Sequence, residues 1–331
     1  MMKTKNMHAI VASGYGTPEV FQYKEVEMPH PGDHEVLVQV KVSSVTRADT
    51  MMRTGKPLFG RLLTGLKKPK HPIPGTAFAG KVIQTGKHVS QFEPGDAVFG
   101  ETTLGFSTNA EFVVLPENGV ILHKPETLSF EEAATLCDGP LTSYLFLKDI
   151  AKLRSGQRIL INGASGSLGS AAVQLAKKMG AEVTGVCSTR NTGLTKSLGA
   201  DHVINYQEED FTTSGKTFDI IFDTVGLSSY RRSRKVLSER GMYLSPVIKL
   251  NLLLQMMLSS VALRKKARFA AAGMKKDQEL KALLSELISI HQNGGFQILI
   301  DRQFPLEKVA QAHNYVDQGH KKGNVIIIVQ S

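Results

Sequence analysis

Three glycines, Gly163, Gly166 and Gly169, form a turn near the middle of the chain. The apolar run before the turn predicts a strand, and the segment that begins at Ser170 predicts an amphipathic helix. Glycines in such a turn bring backbone N–H groups close to a pyrophosphate, and the helix N-terminus adds its dipole and its free donors. The turn therefore indicates a dinucleotide site, with a merely tight βα turn as the alternative.

The turn departs from the common G-x-G-x-x-G pattern at its first position. Aligned on Gly169, it reads Ala164-Ser165-Gly166-Ser167-Leu168-Gly169, with alanine in the first glycine slot. A glycine-rich match alone is a weak signal. Its position between a strand and a helix, inside a series of such units, is what favours the dinucleotide interpretation.

Short apolar runs alternate with helix-length segments from about residue 155 to about residue 275. The runs are RILING, AEVTGVCS, ADHVINY, FDIIFDTVG, GMYLSPV and KARFAAAGM. This alternation predicts an α/β domain with a parallel sheet that is covered on both faces. The first ~125 residues are instead rich in predicted strands and turns, because runs such as EVLVQVKVSSV at 35–45 alternate apolar and polar residues.

The last ~55 residues predict a helix, a strand, a second helix and a closing strand, NVIIIV. The most apolar stretch, at 247–263, is interrupted by Lys249, Asn251 and Gln255. It falls short of the ~18–20 clean apolar residues that a membrane span needs. The sequence therefore predicts a buried or interface helix there, and no membrane partner.

Composition narrows the class of protein. Only two cysteines occur, Cys137 and Cys187, without a C-x-x-C partner, which suits a reducing compartment and excludes a cysteine-rich zinc site. No secretory signal opens the chain, so we expect a cytoplasmic protein. The formal charge of +10 is dispersed over many segments, which disfavours nucleic acid as a partner. A positive field that concentrates a phosphorylated cofactor explains the charge equally well.

The choice of cofactor depends on the end of the second predicted strand. The residue that binds the adenosine ribose lies about 20 positions beyond the turn, where a carboxylate would repel a 2′-phosphate. Here that position is Ser188, and Arg190 follows two residues later. Both side chains can bind a phosphomonoester, so we expect NADPH over NADH. Tyr206, after the third strand, can add its hydroxyl; a solvated Arg190 and a packed Tyr206 are the alternatives.

Taken together, the segments resemble the medium-chain dehydrogenase/reductase superfamily, particularly its zinc-independent quinone oxidoreductase branch. The resemblance covers essentially the whole chain. It rests on GYGTPEV, SSVTRADTMMRTG, PGTAFAGKVIQTG, FEPGDAVFG, NAEFVVLP, FEEAATLCDGPLTSY, the nucleotide segment and GHKKGNVIII, in this order and spacing.

The resemblance implies a GroES-like β-barrel domain over 1–126, completed by 275–331, and a Rossmann doubly wound domain over 127–274, with catalysis in the cleft. It also implies the contacts to NADPH. Thr142 would lie near the nicotinamide and the phosphates, and Ser165 through Leu168 would bind the pyrophosphate. Further residues of the cofactor site would be Gly169, Ser188, Arg190, Tyr206, Thr224, Val225 and Pro246. For Thr224, Val225 and Pro246, ordinary strand termini are the alternative.

The positions of zinc ligands decide the expected chemistry. Zinc-dependent members carry a Cys where this chain has Thr46 and a His-Glu pair where it has Thr76 and Ala77. Catalytic zinc needs about three N, S or O side-chain ligands in a fixed arrangement. We therefore predict no metal. Without a Lewis acid the oxidation of a simple alcohol is disfavoured, and the reduction of a quinone or an α,β-unsaturated carbonyl remains feasible.

Thr46 is the candidate catalytic residue, because it occupies a slot where many relatives carry Asn and can donate a hydrogen bond or orient the ribose. Arg47 and Asp49, which follow it, fit a structural pair at least as well as a catalytic role. The segment DTMMRTGK lacks the tyrosine of many enoyl reductases. This weakens the enoyl reductase interpretation and leaves water as the default proton donor.

Several alternatives stay open from the sequence. The chain can be an alcohol or aldehyde dehydrogenase of the same superfamily, or a non-catalytic NADPH-binding or RNA-binding relative. The basic loop at 56–72 is either a substrate lid or solvated scaffold. Relatives commonly pair through the last Rossmann strand, so KARFAAAGM is the candidate edge of a homodimer.

Overall fold

The computed structural model describes residues 5–262 and 264–329. Contacts divide the chain into two units. The first unit comprises the described parts of Met1–Asp138, Lys275–Ser285 and Ile300–Ser331, and the second comprises those of Gly139–Met274 and Glu286–Leu299. The domain boundaries expected from the sequence, at 126/127 and 274/275, stay a prediction.

The first unit begins with strands and short helices. In chain order they are β1 (Asn6–Ala12), β2 (Phe21–Glu27), β3 (Glu35–Val45), α1 (Arg47–Thr54), α2 (Arg61–Thr64), β4 (Ala77–Thr85), β5 (Ala97–Glu101), β6 (Phe112–Pro116), β7 (Val120–His123) and α3 (Phe130–Leu136).

The second unit alternates helices and strands. Its elements are α4 (Gly139–Leu145), β8 (Arg158–Asn162), α5 (Ser167–Lys178), β9 (Glu182–Cys187), α6 (Thr192–Ser197), β10 (His202–Asn205), β11 (Phe218–Asp223), α7 (Tyr230–Ser233), β12 (Leu237–Ser245), α8 (Leu250–Ala262) and β13 (Lys266–Phe269). The chain ends with α9 (Asp277–Gln292), β14 (Ile300–Pro305), α10 (Val309–Asp317) and β15 (Asn324–Ile328).

The sheet of the second unit is parallel throughout and has the order β10-β9-β8-β11-β12-β13. Each of the six apolar runs predicted as strands contributes a strand to this sheet, although in KARFAAAGM the strand ends at Phe269. The predicted parallel sheet is therefore confirmed. Because β8 has β9 on one side and β11 on the other, the chain reverses direction across the sheet at β8, which is where such folds bind ligands.

The larger sheet of the first unit has the order β14-β15-β3-β4-β5-β7, with β6 also paired to β3. Strand β15 runs antiparallel to β3, with Val325 opposite Val45. The tail of the chain thus completes a sheet that the N-terminal segment begins. Alternate residues of β3, among them Val36, Val38 and Val40, are buried in its core, as the sequence pattern predicts.

Within the apolar stretch at 247–263, residues Leu250–Ala262 form α8, and this helix is only partly buried. Leu252 packs in the core, but Leu254 is 55% exposed and Met257 is 69% exposed. The prediction of a helix is correct, and its burial is limited to one face. No helix in the described ranges is long and apolar enough to cross a membrane.

Candidate functional site

The carboxyl ends of the parallel strands collect most of the residues that the sequence assigned to the cofactor. Parallel strands end at the same edge of a sheet, so residues that directly follow them lie close together. Ser165–Gly169 follow β8, Ser188 and Arg190 follow β9, Tyr206 follows β10, Thr224 and Val225 follow β11, and Pro246 follows β12. Thr142 lies instead on α4.

Two of the three glycines in the turn are required by the fold itself. Gly163 has a φ of 83°, and a Cβ on it would lie 2.7 Å from Thr224 Oγ1. A Cβ on Gly169 would lie only 2.0 Å from the Gly163 carbonyl oxygen, so α5 can pack this closely on β8 only without a side chain there. A Cβ on Gly166 would lie 3.5 Å from the Gly163 carbonyl oxygen, which is an ordinary van der Waals distance. The surroundings of Gly166 are therefore less crowded than those of the other two glycines, and packing does not require a glycine there.

The N-terminal end of α5 is suited to an anion. Gly166 occupies the N-cap position, and no side chain caps the helix there. The 12 residues of α5 align their peptide dipoles toward this end, which favours negative charge. The residues present therefore fit the pyrophosphate of a dinucleotide.

The alanine in the first glycine slot is accommodated by the neighbouring strand. Ala164 is fully buried, and a Cβ on Gly185 of β9 would lie 3.0 Å from the Ala164 Cβ. The glycine on β9 therefore makes room for the alanine methyl group. The departure from the common pattern does not distort the turn, since the Ala164 N–H still donates to the Val186 carbonyl at 3.0 Å.

The register of β9 and β10 brings two predicted residues, Ser188 and Tyr206, side by side. Asn205 lies opposite Cys187, and the Tyr206 N–H donates to the Cys187 carbonyl at 3.1 Å, so Tyr206 and Ser188 leave the sheet side by side. The Ser188 side chain is buried and makes no hydrogen bond within the described ranges. Arg190 is exposed and forms no ion pair with a described residue. Ser188 and Tyr206 are therefore neighbours at the ends of β9 and β10, and Arg190 follows Ser188 by two residues.

Polar contacts that the sequence did not reveal hold the loops of this edge. Asn191 Nδ2 donates to Ser165 Oγ at 2.9 Å and connects the loop after β9 with the glycine turn. Thr189 Oγ1 donates to Gln207 at 2.9 Å and accepts from Asn205 at 2.8 Å. These contacts fix the backbone on both sides of Ser188 and Arg190.

Asp223 is the main polar residue that the sequence missed. It is fully buried at the end of β11. Its carboxylate accepts hydrogen bonds from Asn162 Nδ2, from the Gly226 and Ser228 N–H groups and from the Tyr243 hydroxyl, at 2.7–3.0 Å. Burial and this carboxylate raise the pKa of the Tyr243 hydroxyl. The network ties together the ends of β8, β11 and β12, which lie at the candidate site.

The Thr224 side chain makes a hydrogen bond to the protein backbone. Its hydroxyl donates to the Asn162 carbonyl at 2.7 Å, so it connects the ends of β11 and β8. Thr142 is half-buried on α4, next to Ser143, whose hydroxyl donates to the Leu168 carbonyl at 2.8 Å. That bond holds α4 beside the glycine turn and places Thr142 at the edge of the candidate site.

Thr46 lies in the first unit, where it forms the N-cap of α1. Its hydroxyl donates to Asp49 Oδ2 at 2.7 Å and accepts from the Asp49 N–H at 3.0 Å, while the Thr46 N–H also donates to Asp49 Oδ2. This is a capping box. Asp49 thus bonds to Thr46, and Arg47 is exposed. The proton of the Thr46 hydroxyl is already engaged, so it must leave Asp49 before it can serve a substrate.

Asp49 belongs to a group of enclosed acids in this unit. Burial raises the pKa of Asp49 to about 6. Glu101 lies at the end of β5, and burial together with the Asp138 and Asp49 carboxylates raises its pKa to about 8. Glu101 could not be recognised from the sequence, because these carboxyl groups come from distant segments of the chain. Over the residues with described positions, no three His, Cys, Asp or Glu side chains are grouped to hold a metal.

Comparison with known proteins identifies the family. Residues 32–126 match the family model of the alcohol dehydrogenase GroES-like domain, and residues 198–327 match that of zinc-binding dehydrogenases. The chloroplastic quinone oxidoreductase QR1 of Triphysaria versicolor is 30% identical over 340 residues, which cover 98% of this chain and 99% of that protein. The chain belongs to the medium-chain dehydrogenase/reductase superfamily. Within this superfamily it falls in the quinone oxidoreductase branch.

Other medium-chain dehydrogenase/reductase proteins agree with this placement. The quinone oxidoreductase of Coxiella burnetii superposes with a TM-score of 0.88 at 28% identity and covers 98% of this chain and all of that one. The trans-enoyl reductase pgmF of Aspergillus terreus is 36% identical over 206 residues, 59% of this chain and 56% of that protein. The expected combination of a Rossmann domain with a GroES-like domain is confirmed, and the chain is an oxidoreductase of this family.

Proposed function

We propose that this oxidoreductase uses NADPH to reduce quinones or α,β-unsaturated carbonyl compounds without a metal ion. The observation that carries the proposal is the group formed by Ser188, Arg190 and Tyr206 at the ends of β9 and β10. It offers two hydroxyls and a guanidinium with no ion-pair partner among the described residues, at the position where an acidic residue would select NADH.

Residues around the glycine turn would bind the rest of the cofactor. The uncapped end of α5 and the less crowded surroundings of Gly166 suit the pyrophosphate, with Ser165 through Gly169 as its contacts. Thr142 would position the nicotinamide, and Thr224, Val225 and Pro246 would line the cofactor beyond β11 and β12. When bound, the reduced nicotinamide supplies a hydride.

Donor types in the first unit support chemistry without zinc. Thr46, Thr76 and Ala77 occupy the positions of the cysteine and the His-Glu pair in zinc-dependent members. None of these side chains is a thiolate, an imidazole or a carboxylate, the ligands that Zn²⁺ prefers. Substrates that are already electron-poor, such as quinones and enones, accept hydride without a Lewis acid. The names of the similar quinone oxidoreductase and enoyl reductase agree with these two substrate classes.

Thr46 would contribute a hydrogen bond to the substrate oxygen or to the ribose, by exchanging its bond to Asp49. In this proposal the proton that completes the reduction comes from water. Cys137 and Cys187 are both free and buried, which supports the expectation of a reducing, cytoplasmic compartment.

Replacement of Arg190 tests the assignment of the cofactor. We expect Arg190→Ala to raise the KM for NADPH by about 10- to 100-fold, the loss of a charged hydrogen bond, and to leave the KM for NADH unchanged. Initial rates with both cofactors and a panel of quinones and 2-alkenals, followed by the absorbance of reduced nicotinamide, measure this. Arg154→Ala is the matched control, because Arg154 is also exposed but precedes β8, at the opposite edge of the sheet. Equal losses with NADPH and NADH would refute the phosphate site.

The same panel separates the alternatives. Turnover of simple alcohols with NADP⁺, but not of quinones or alkenals with NADPH, would establish an alcohol dehydrogenase. If the chain binds NADPH and turns over no substrate, the non-catalytic interpretation holds. One equivalent of tightly bound zinc in the purified protein would overturn the metal-free assignment.

A further inference from the structure

Residues 56–70, which we call the basic apolar segment, present large apolar side chains to solvent. Leu58, Leu62 and Leu66 are 68%, 76% and 67% exposed, and Phe59 is 41% exposed. They occupy a 3₁₀ turn, the short helix α2 and the residues directly after it. Four such exposed side chains lie within nine residues, and a concentration of exposed apolar surface commonly marks an interaction site.

Hydrogen bonds and a cation–π contact hold the backbone of the segment in place. Tyr15 donates its hydroxyl to the Gly65 carbonyl at 2.6 Å, and the Arg61 guanidinium lies 4.3 Å above the Tyr15 ring. Arg61 Nε also donates to the Gly55 carbonyl at 3.0 Å. The Lys70 N–H donates to the Thr64 carbonyl at 2.7 Å, which brings the residues after α2 back beside it. The leucines are therefore exposed on an ordered platform.

The segment carries positive charge only. Lys56, Lys67, Lys68 and Lys70 are exposed, and none of them forms an ion pair with a described residue. In the sequence no Asp or Glu occurs between Asp49 and Glu93. Lysines that form no ion pair with a described residue, interspersed along the chain with exposed leucines, match a lipid surface, which is negatively charged at its headgroups and apolar below them.

We propose that the basic apolar segment docks the protein on the surface of membranes that contain anionic lipids. Leu58, Phe59, Leu62 and Leu66 enter the headgroup region, and the four lysines bind lipid phosphates. An RNA or another polyanion would use the lysines and leave the leucines in water, so lipid accounts for both features. This peripheral docking needs no membrane-spanning helix. The proposal departs from the expectation of no membrane partner, because that expectation rested only on the lack of a membrane-spanning segment.

Vesicle binding by the full chain tests the proposal. We expect co-sedimentation with phosphatidylcholine vesicles that contain phosphatidylglycerol, and little with pure phosphatidylcholine. The triple variant Lys67→Gln/Lys68→Gln/Lys70→Gln should bind about 100-fold more weakly, since each cation near an anionic surface contributes about fivefold. The triple variant Leu58→Ser/Leu62→Ser/Leu66→Ser should bind at least ~10-fold more weakly. High salt should weaken wild-type binding.

Matched variants keep the number and kind of changes but move them elsewhere. Lys24, Lys81 and Lys235 are exposed and lie outside the segment. Their joint replacement by Gln removes the same net charge and should weaken vesicle binding by no more than about twofold relative to wild type. Leu250→Ser/Leu254→Ser/Leu258→Ser removes exposed leucines of α8 and should have no effect. If either control loses as much binding as its counterpart, the proposal fails.

A fluorescent reporter places the contact without a destabilising change. The chain contains no Trp, so Phe59→Trp introduces a single one within the segment. We expect its emission to shift to the blue on anionic vesicles and to be quenched by brominated phospholipid, whereas Leu254→Trp in α8 stays unchanged. Three results would overturn the proposal: vesicle binding with no change at residue 59, binding to poly(U) that needs the lysines but not the leucines, or loss of a dimer when the leucines are replaced.

Discussion

At the scale of single residues, Glu101 has the most unusual environment among the acids. It is 9% exposed, and its Oε2 atom accepts no hydrogen bond from the described part of the chain. Burial, with the Asp138, Asp49 and Asp277 carboxylates nearby, raises its pKa to about 8. The side chain is therefore protonated at neutral pH. A neutral acid here avoids the cost of an enclosed charge beside other carboxylates.

This raised pKa predicts how stability depends on pH. The folded state holds the Glu101 proton up to about pH 8, whereas the unfolded state releases it near 4.5, so this contribution to stability is complete below pH 4.5 and is lost as pH rises to 8. The expected loss is roughly 1.4 kcal/mol per pH unit in this window. Glu101→Gln should flatten this part of the profile in urea unfolding. The exposed Glu126→Gln is the control, and parallel profiles of Glu101→Gln and wild type would contradict the prediction.

At the scale of elements, the β8–α5 unit shows how one glycine sets the position of a helix. The missing side chain at Gly169 lets α5 begin directly against the Gly163 carbonyl. The end of α5 then lies beside the strand ends that carry Asp223 and Ser188. The candidate anion site depends on this close packing, because the dipole of a helix acts only within its first turn.

Two Gly→Ala replacements in helices test this packing. Gly169→Ala should lower the free energy of unfolding by about 1–3 kcal/mol or more, since its Cβ would lie 2.0 Å from backbone, and should weaken NADPH binding. Gly193→Ala in α6 meets nothing within 4 Å and should instead stabilise the protein by about 0.5–1 kcal/mol. Denaturant unfolding and cofactor titration measure both. Similar behaviour of the two variants would show that the close approach at Gly169 is unimportant.

At the scale of the whole molecule, β13 is the last strand in the sheet of the second unit, and among the described residues it pairs only with β12. An unpaired strand edge is a template for another chain. We keep the proposal that Lys266–Phe269 pairs with its counterpart in a homodimer. Sedimentation equilibrium should then give twice the mass of a single chain. A monomer at all concentrations would refute this assembly.

The sequence predicted the fold well because its signals are local. Each strand of the parallel sheet appears as a short apolar run, and the glycine turn leads from β8 into α5 as predicted. The helix begins at Ser167, three residues before the predicted Ser170, so Gly169 belongs to its first turn. The same holds for β3, whose alternation over 35–45 matches the strand Glu35–Val45. Periodicity and turn residues depend only on near neighbours along the chain, so they can be recognised without the fold.

The candidate site was predicted in part. The residues that follow the strands lie at one edge of the sheet, because parallel strands end at the same edge. The position that selects the cofactor is found by counting along the chain from Gly169, and it holds Ser188 instead of a carboxylate. The support for these residues could not be predicted. Asn191 bonds to Ser165 across 26 positions, and Asp223 accepts from Asn162 across 61.

By itself the sequence determined the class of fold, the glycine turn and the types of group available to a cofactor, because these follow from the order and the chemistry of the residues. Only the tertiary structure decided which side chains are buried away from solvent. It enclosed Glu101 with other acids, engaged the Thr46 hydroxyl with Asp49, and left Leu58 and Leu62 in solvent. Burial depends on neighbours that are distant in the chain, and the free energies of charge and of apolar surface depend on burial.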